Sequence, residues 1–209
     1  MKDKSLIYLL GGGVSVKELG IDIPRCRKEG YVLGINRAVI HVQCDGVFAV
    51  DKQFEIKDSA IWRTYDKEAH TCYSHPRDKV PQSWRTDWKR IDKADPTKQP
   101  ECLETGLVGC VNSGNTAILL ALKMGAKCII LLGYDLPMVT EAWYDLELDV
   151  PNVRFKYEGI MRNFEHCTKI YKDLWPDVKI LNSNKESNIK CYDFVEPSEI
   201  YDRHSLLTR

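Results

Sequence analysis

Apolar residues fall in short runs that stop on glycine or polar residues, separated by stretches with helical spacing. Ser5 to Leu10 is such a run; it halts at Gly11-Gly12-Gly13, and a helix can begin at Val14 to Leu19, so the opening predicts strand, tight turn, helix. A second strand is predicted at Tyr31 to Ile35, ending on Asn36-Arg37, and a third at Gly46 to Val50, ending on Asp51. Ala117, Leu120, Ala121 and Met124 share one face of a helix over Ser113 to Met124, followed by Gly125 and a strand at Cys128 to Leu132. The last pair is a helix at Arg162 to Leu174, stopped by Trp175-Pro176, and a strand at Val178 to Leu181.

Between about Gln53 and Thr105 the periodicity is poor. Trp62, Trp84 and Trp88 lie among charges, and Pro76, Pro81, Pro96 and Pro100 interrupt any long helix. This stretch reads as an irregular, lid-like excursion with a short strand near Thr71 to Ser74; a poorly ordered surface insertion would leave the same pattern. The alternation elsewhere predicts an α/β, Rossmann-like fold: one domain over residues 1–209, with a mostly parallel sheet and helices on both faces.

Composition narrows the function classes. Thirty basic residues balance thirty acidic ones, so no net field draws the chain to nucleic acid. No run approaches the ~20 apolar residues that span a bilayer, and the start lacks a leader-peptide pattern, so a cytoplasmic setting is expected. Several of the eight cysteines lie inside apolar runs, as in Lys127-Cys128-Ile129-Ile130, and read as reduced core thiols rather than a disulfide framework. No Cys-x-x-Cys pair supports a zinc ribbon.

Candidate chemistry gathers where predicted strands end, because ligands of open α/β sheets bind outside the carboxyl ends of the strands. Gly11, Gly12, Gly13 and Ser15 would let backbone amides approach a phosphate at the start of a helix, although a purely structural turn needs the same glycines. Asn112, Ser113 and Gly114, with Asn115 and Thr116, head the clearest helix and would serve a ribose, a base edge or an ordinary N-cap. Gly133-Tyr134-Asp135 places a carboxylate after one strand and Asp51 after another. Two such carboxylates would hold magnesium, bond a ribose, orient an acceptor or simply cap the structure.

This order of residues resembles the bacterial sialyltransferases of the Campylobacter type, which carry a glycine-rich nucleotide loop after strand one, an Asn after strand two, Ser-Gly before a helix and Gly-x-Asp after the next strand. Gly11-Gly12-Gly13-Val14-Ser15, Asn36, Ser113-Gly114 and Gly133-Tyr134-Asp135 are similar. The archaeal 6-hydroxymethylpterin pyrophosphokinase MptE-like family shares the skeleton, including an Asp like Asp51 near the end of strand three. Short proteins of this pattern also resemble ones encoded by bacterial viruses. Two departures stand out: Val14 replaces the usual proline of the first loop, and Tyr157, Glu158 and Ile160 stand where the sialyltransferases have a histidine base, with His166 inside the following helix.

The resemblance implies a transferase, foremost a glycosyltransferase using a nucleotide-activated sugar as donor. Gly11, Gly12, Gly13 and Ser15 would lie near phosphate, Asn36, Asn112, Ser113, Gly114, Gly133 and Tyr134 near the nucleotide, Asp135 near the ribose or reacting centre, and Glu158 or Asp51 would activate the acceptor. The alternatives are a pyrophosphokinase in which Asp51 and Asp135 hold magnesium, and a non-catalytic nucleotide-binding or sequestering protein.

Overall fold

A computed structural model of the protein describes residues 2–49, 68–71, 89–90, 93–94, 107–108, 113–136 and 153–208. Its centre is an eight-stranded sheet in which every pairing is parallel. The strands are β1 (Leu6–Leu10), β2 (Tyr31–Ile35), β3 (Gly46–Ala49), β4 (Glu68–Thr71), β5 (Lys89–Arg90), β8 (Cys128–Leu132), β9 (Lys179–Asn182) and β10 (Asp193–Phe194). They lie in the order β10-β9-β8-β1-β2-β3-β4-β5, and a separate two-residue pair joins β6 (Lys93–Ala94) to β7 (Leu107–Val108).

β1 lies between β2 and β8 because the chain moves outward through β2, β3 and β4 and later returns to β1's other side. Such a reversal opens a crevice at the strands' carboxyl ends. Both faces of this centre are covered, as the near-continuous apolar strands predict. Ile7, Leu9, Ile129 and Leu131 face a core shared with helices α4 (Ser113–Lys123) and α5 (Val153–Leu174). Their neighbours Leu6, Tyr8, Leu10, Ile130 and Leu132 face the opposite core, with Ile23 and Cys26 of α2 (Ile23–Glu29) and the C-terminal Ile200 and Leu206.

The α/β class, the parallel sheet and the helices on both faces agree with the sequence reading, but several bounds move. The helix expected from Val14 is the single turn α1 (Ser15–Glu18). The packing on that face comes from α2, which no predicted element covered: the Asp22 side chain accepts from the Arg25 amide at 3.0 Å, and Pro24 lies in the first turn. The strand expected at Thr71 to Ser74 is Glu68–Thr71, in parallel register with β3 through Val47 opposite Ala69. Part of the expected irregular excursion therefore extends the sheet, while most of it lies outside the described residues.

The late helix starts nine residues before the expected Arg162. Gly159 and the β-branched and aromatic residues around it weaken the local helix signal, yet Phe164, Cys167, Thr168 and Tyr171 form one buried stripe at helical spacing. His166 is exposed on that helix.

Cys26, Cys44, Cys128 and Cys167 are buried free thiols, and Cys191 is half-buried. Burial pushes Cys26 and Cys128 up to about 12 and raises the Tyr8 phenol well above its usual value. Unfolded thiols and phenols ionise near 8.5 and 10, so above about pH 9 the folded chain holds more protons than the unfolded one. Stability from these groups is complete below that pH and falls as pH rises toward 12. Urea midpoints are expected to be level from pH 7 to about 8.5 and to decline steadily to pH 11; a level midpoint through pH 11 would contradict the burial of these groups.

Candidate functional site

Because every strand of the sheet is parallel, the residues after β1, β2, β8 and β9 emerge at one edge. In the crevice between β1 and β8, alternate amides of the glycine turn point back into the protein. Gly11 N donates to Leu132 O at 2.8 Å, Gly13 N to Gly133 O at 2.9 Å and Ser15 N to Asp135 Oδ2 at 2.8 Å. The intervening amides of Gly12 and Val14 have no acceptor among the described residues.

Glycine is required here by close approach. A Cβ on Gly13 would lie 2.4 Å from Asp135 Oδ2 and 2.6 Å from Gly133 O. Gly133 itself has φ +67°, a left-handed conformation that side chains resist.

Asp135 is 7 % exposed, and both its oxygens are occupied. Oδ2 accepts from Ser15 N, while Oδ1 accepts from the Ser15 hydroxyl and from Asn184 Nδ2, the latter at 2.8 Å. Three N–H or O–H donors suit a carboxylate that holds protein segments together. They fit poorly with a magnesium ligand, whose lone pairs would face the ion. Among the described residues, no group of three or more His, Cys, Asp or Glu is placed to hold a metal.

Asn36 ends β2 beside the glycine turn, with φ +53° and its amide donating to Phe48 O at 2.9 Å. Its buried Oδ1 has no hydrogen-bond partner among the described residues. Ser113 and Gly114 open α4 at the same edge, since the Tyr134 hydroxyl donates to Gly114 O at 3.0 Å. That bond uses the Tyr134 donor internally. The ring sits in the core, edge-on to Phe164 at 6.3 Å, and burial holds its phenol protonated. Asn115 also turns inward, donating to Asn163 Oδ1 at 2.9 Å and accepting from the Tyr171 hydroxyl at 3.2 Å.

Asp51 and Asn112 lie outside the described residues. Glu158, expected ahead of the late helix, lies within the backbone of α5, in its second turn. Asn163 of α5 meets the first turn of α4, so Glu158, about 7.5 Å further toward α5's N-terminal end, is on the carboxyl-edge side of the domain.

The sequence reading missed the loop that follows β9. Besides Asn184 on Asp135, Ser187 Oγ donates to Tyr134 O at 2.6 Å, Asn188 N to Asp135 O at 3.0 Å and Asn188 Nδ2 to Leu136 O at 2.8 Å. Its signal was present as Asn182-Ser183-Asn184 and Ser187-Asn188, a cluster of short amide and hydroxyl side chains at and after the end of a half-buried strand.

No protein-family model matches the chain, and no curated protein sequence matches it. Among solved structures it is similar to the sialyltransferase CstII from Campylobacter jejuni in complex with the substrate analogue CMP-3FNeuAc, at 18% identity and a TM-score of 0.56, covering 94% of this chain and 87% of that one. It is also similar to the MAf glycosyltransferase from Magnetospirillum magneticum AMB-1, at 14% identity and a TM-score of 0.59. The fold is glycosyltransferase-like. The MAf match covers 98% of this chain and only 36% of that protein, so the likeness is to one part of a larger enzyme. No helix among the described residues is long and apolar enough to cross a membrane.

Proposed function

We propose that this chain is a glycosyltransferase whose donor is a nucleotide-activated sugar bound across the carboxyl edge of the sheet. The observation that carries this reading is Asn36 beside the glycine turn, whose buried side-chain oxygen has no hydrogen-bond partner among the described residues. Leaving such an acceptor unmet costs about 1–3 kcal/mol, and a nucleoside hydroxyl or exocyclic amine would meet it. The amides of Gly12 and Val14 are the donors offered to the phosphate, and Ser113 and Gly114 border the nucleoside. The fold is consistent with this, and the CMP-sugar analogue held by the Campylobacter protein makes CMP the first nucleotide to test.

Catalysis consists of holding donor and acceptor together and stabilising the departing nucleotide phosphate. Glu158 is assigned as the base that takes the acceptor's proton, with Asp51 as the alternative; Asp135 takes a structural role at the same edge.

The test begins with thermal shifts for CMP, UDP, GDP, ADP and ATP, each with and without magnesium, since a ligand raises the melting temperature only by binding the folded state. A shift that survives EDTA supports the glycosyltransferase, a magnesium-dependent shift with ATP supports the pyrophosphokinase, and no shift with any nucleotide removes both. With a donor in hand, Glu158→Gln is expected to lower kcat about a hundredfold while leaving nucleotide affinity within about twofold. Tight nucleotide binding without turnover for any donor would make the chain a binding protein.

A further inference from the structure

We infer that Asn184 and Asp135 are positioning residues that aim the glycine turn at the nucleotide, so that the loop following β9 sets nucleotide affinity without touching the ligand. This rests on the nucleotide-binding reading above and assigns it a control element outside the glycine turn. Ser15 binds Asp135 through both its amide and its hydroxyl, and Gly13 is pressed against the same carboxylate. The carboxylate therefore fixes the turn at two of its three inward-facing positions, Gly13 and Ser15, and the neighbouring Gly12 and Val14 amides are the ones left without an acceptor among the described residues.

Asp135 is held in turn by the β9 loop. Asn184 Nδ2 reaches its side chain at 2.8 Å, and Asn188 N reaches its main-chain oxygen at 3.0 Å. The chain of contacts thus runs from residue 184 to residue 13 through one buried carboxylate. Asn184 is partly exposed, whereas Ser15 is 2 % exposed, so the loop is the accessible end of this connection.

Two measurements test it. Amide hydrogen exchange, which needs no ligand, is expected to show the Gly13 and Ser15 amides protected in the native protein and exchanging about tenfold faster in Asn184→Ala, as the loss of one charge-assisted hydrogen bond predicts. Unchanged exchange would overturn the connection whatever the protein binds. Calorimetric titration with CMP, or with whichever panel nucleotide gives the largest shift, is then run well below the melting temperature of every variant.

Asn184→Ala and Asn184→Asp are each expected to weaken binding about tenfold or more with native circular dichroism, the second through like-charge repulsion. The exchanged pair Asp135→Asn with Asn184→Asp restores one donor facing one acceptor and is expected to recover most of the affinity. A merely structural contact would lower the melting temperature and leave the dissociation constant alone, which would overturn the inference. Accelerated exchange with no binding by the native protein would overturn the nucleotide-binding reading and, with it, the control of affinity.

Discussion

Gly13→Ala is expected to destabilise the domain by about 3 kcal/mol, a large share of the roughly 5–15 kcal/mol that holds an ordinary domain folded. The added carbon would meet Asp135 Oδ2 at 2.4 Å and Gly133 O at 2.6 Å, and neither can retreat cheaply. The carboxylate is held by Ser15 and Asn184, and the carbonyl belongs to a backbone that pairs with the turn itself. Gly159→Ala is the matched control, since no described residue lies within 4 Å of the new carbon and the site is inside α5. It is expected to stabilise by about 0.5–1 kcal/mol through helix propensity and a less flexible unfolded chain. Urea unfolding of both variants checks the pair, and equal midpoints would mean that the turn does not pack against Asp135 as described.

Asp135→Ala is expected to cost about 3–5 kcal/mol, because it strands the Ser15 amide, the Ser15 hydroxyl and the Asn184 amide group together. Asp135→Asn keeps the shape but turns one acceptor into a donor facing other donors, so about half that loss is expected. Both effects are read from the unfolding free energy without any substrate. A variant that unfolds like the native protein yet loses turnover would return Asp135 to the reacting centre, where the resemblance to the sialyltransferases puts it. Position and hydrogen bonding disagree about this residue, and the stability measurement separates them.

The strands were legible because central parallel strands must be apolar on both faces, so Leu6 to Leu10 and Cys128 to Leu132 stand out without alternation. The glycine turn was legible for a related reason: Gly11 and Gly13 have no room for side chains. Its partners were not, because a contact between Ser15 and Asp135 joins positions 120 residues apart, and nothing local marks it. Tyr134 is ambiguous for the same reason, since a tyrosine at a strand end reads equally as a ligand contact or as a strut to Gly114. The α5 start was hidden by Gly159, where packing along the Phe164 to Tyr171 stripe overrides weak local propensity.

The strand order also fixes when the molecule can finish itself. β1 is synthesised first but sits between β2 and β8, so its second neighbour does not exist until residue 132 has been made. Tyr8 then waits for Ile200, whose carbonyl accepts its hydroxyl at 2.6 Å across 192 positions. A chain emerging from the ribosome would therefore carry the β1–β2–β3 sheet with an open, apolar edge until β8 is made, a surface prone to pairing with other chains. The sheet therefore depends on late closure by β8, and fragments ending before β8 are expected to be recovered as aggregates rather than as weakened binders.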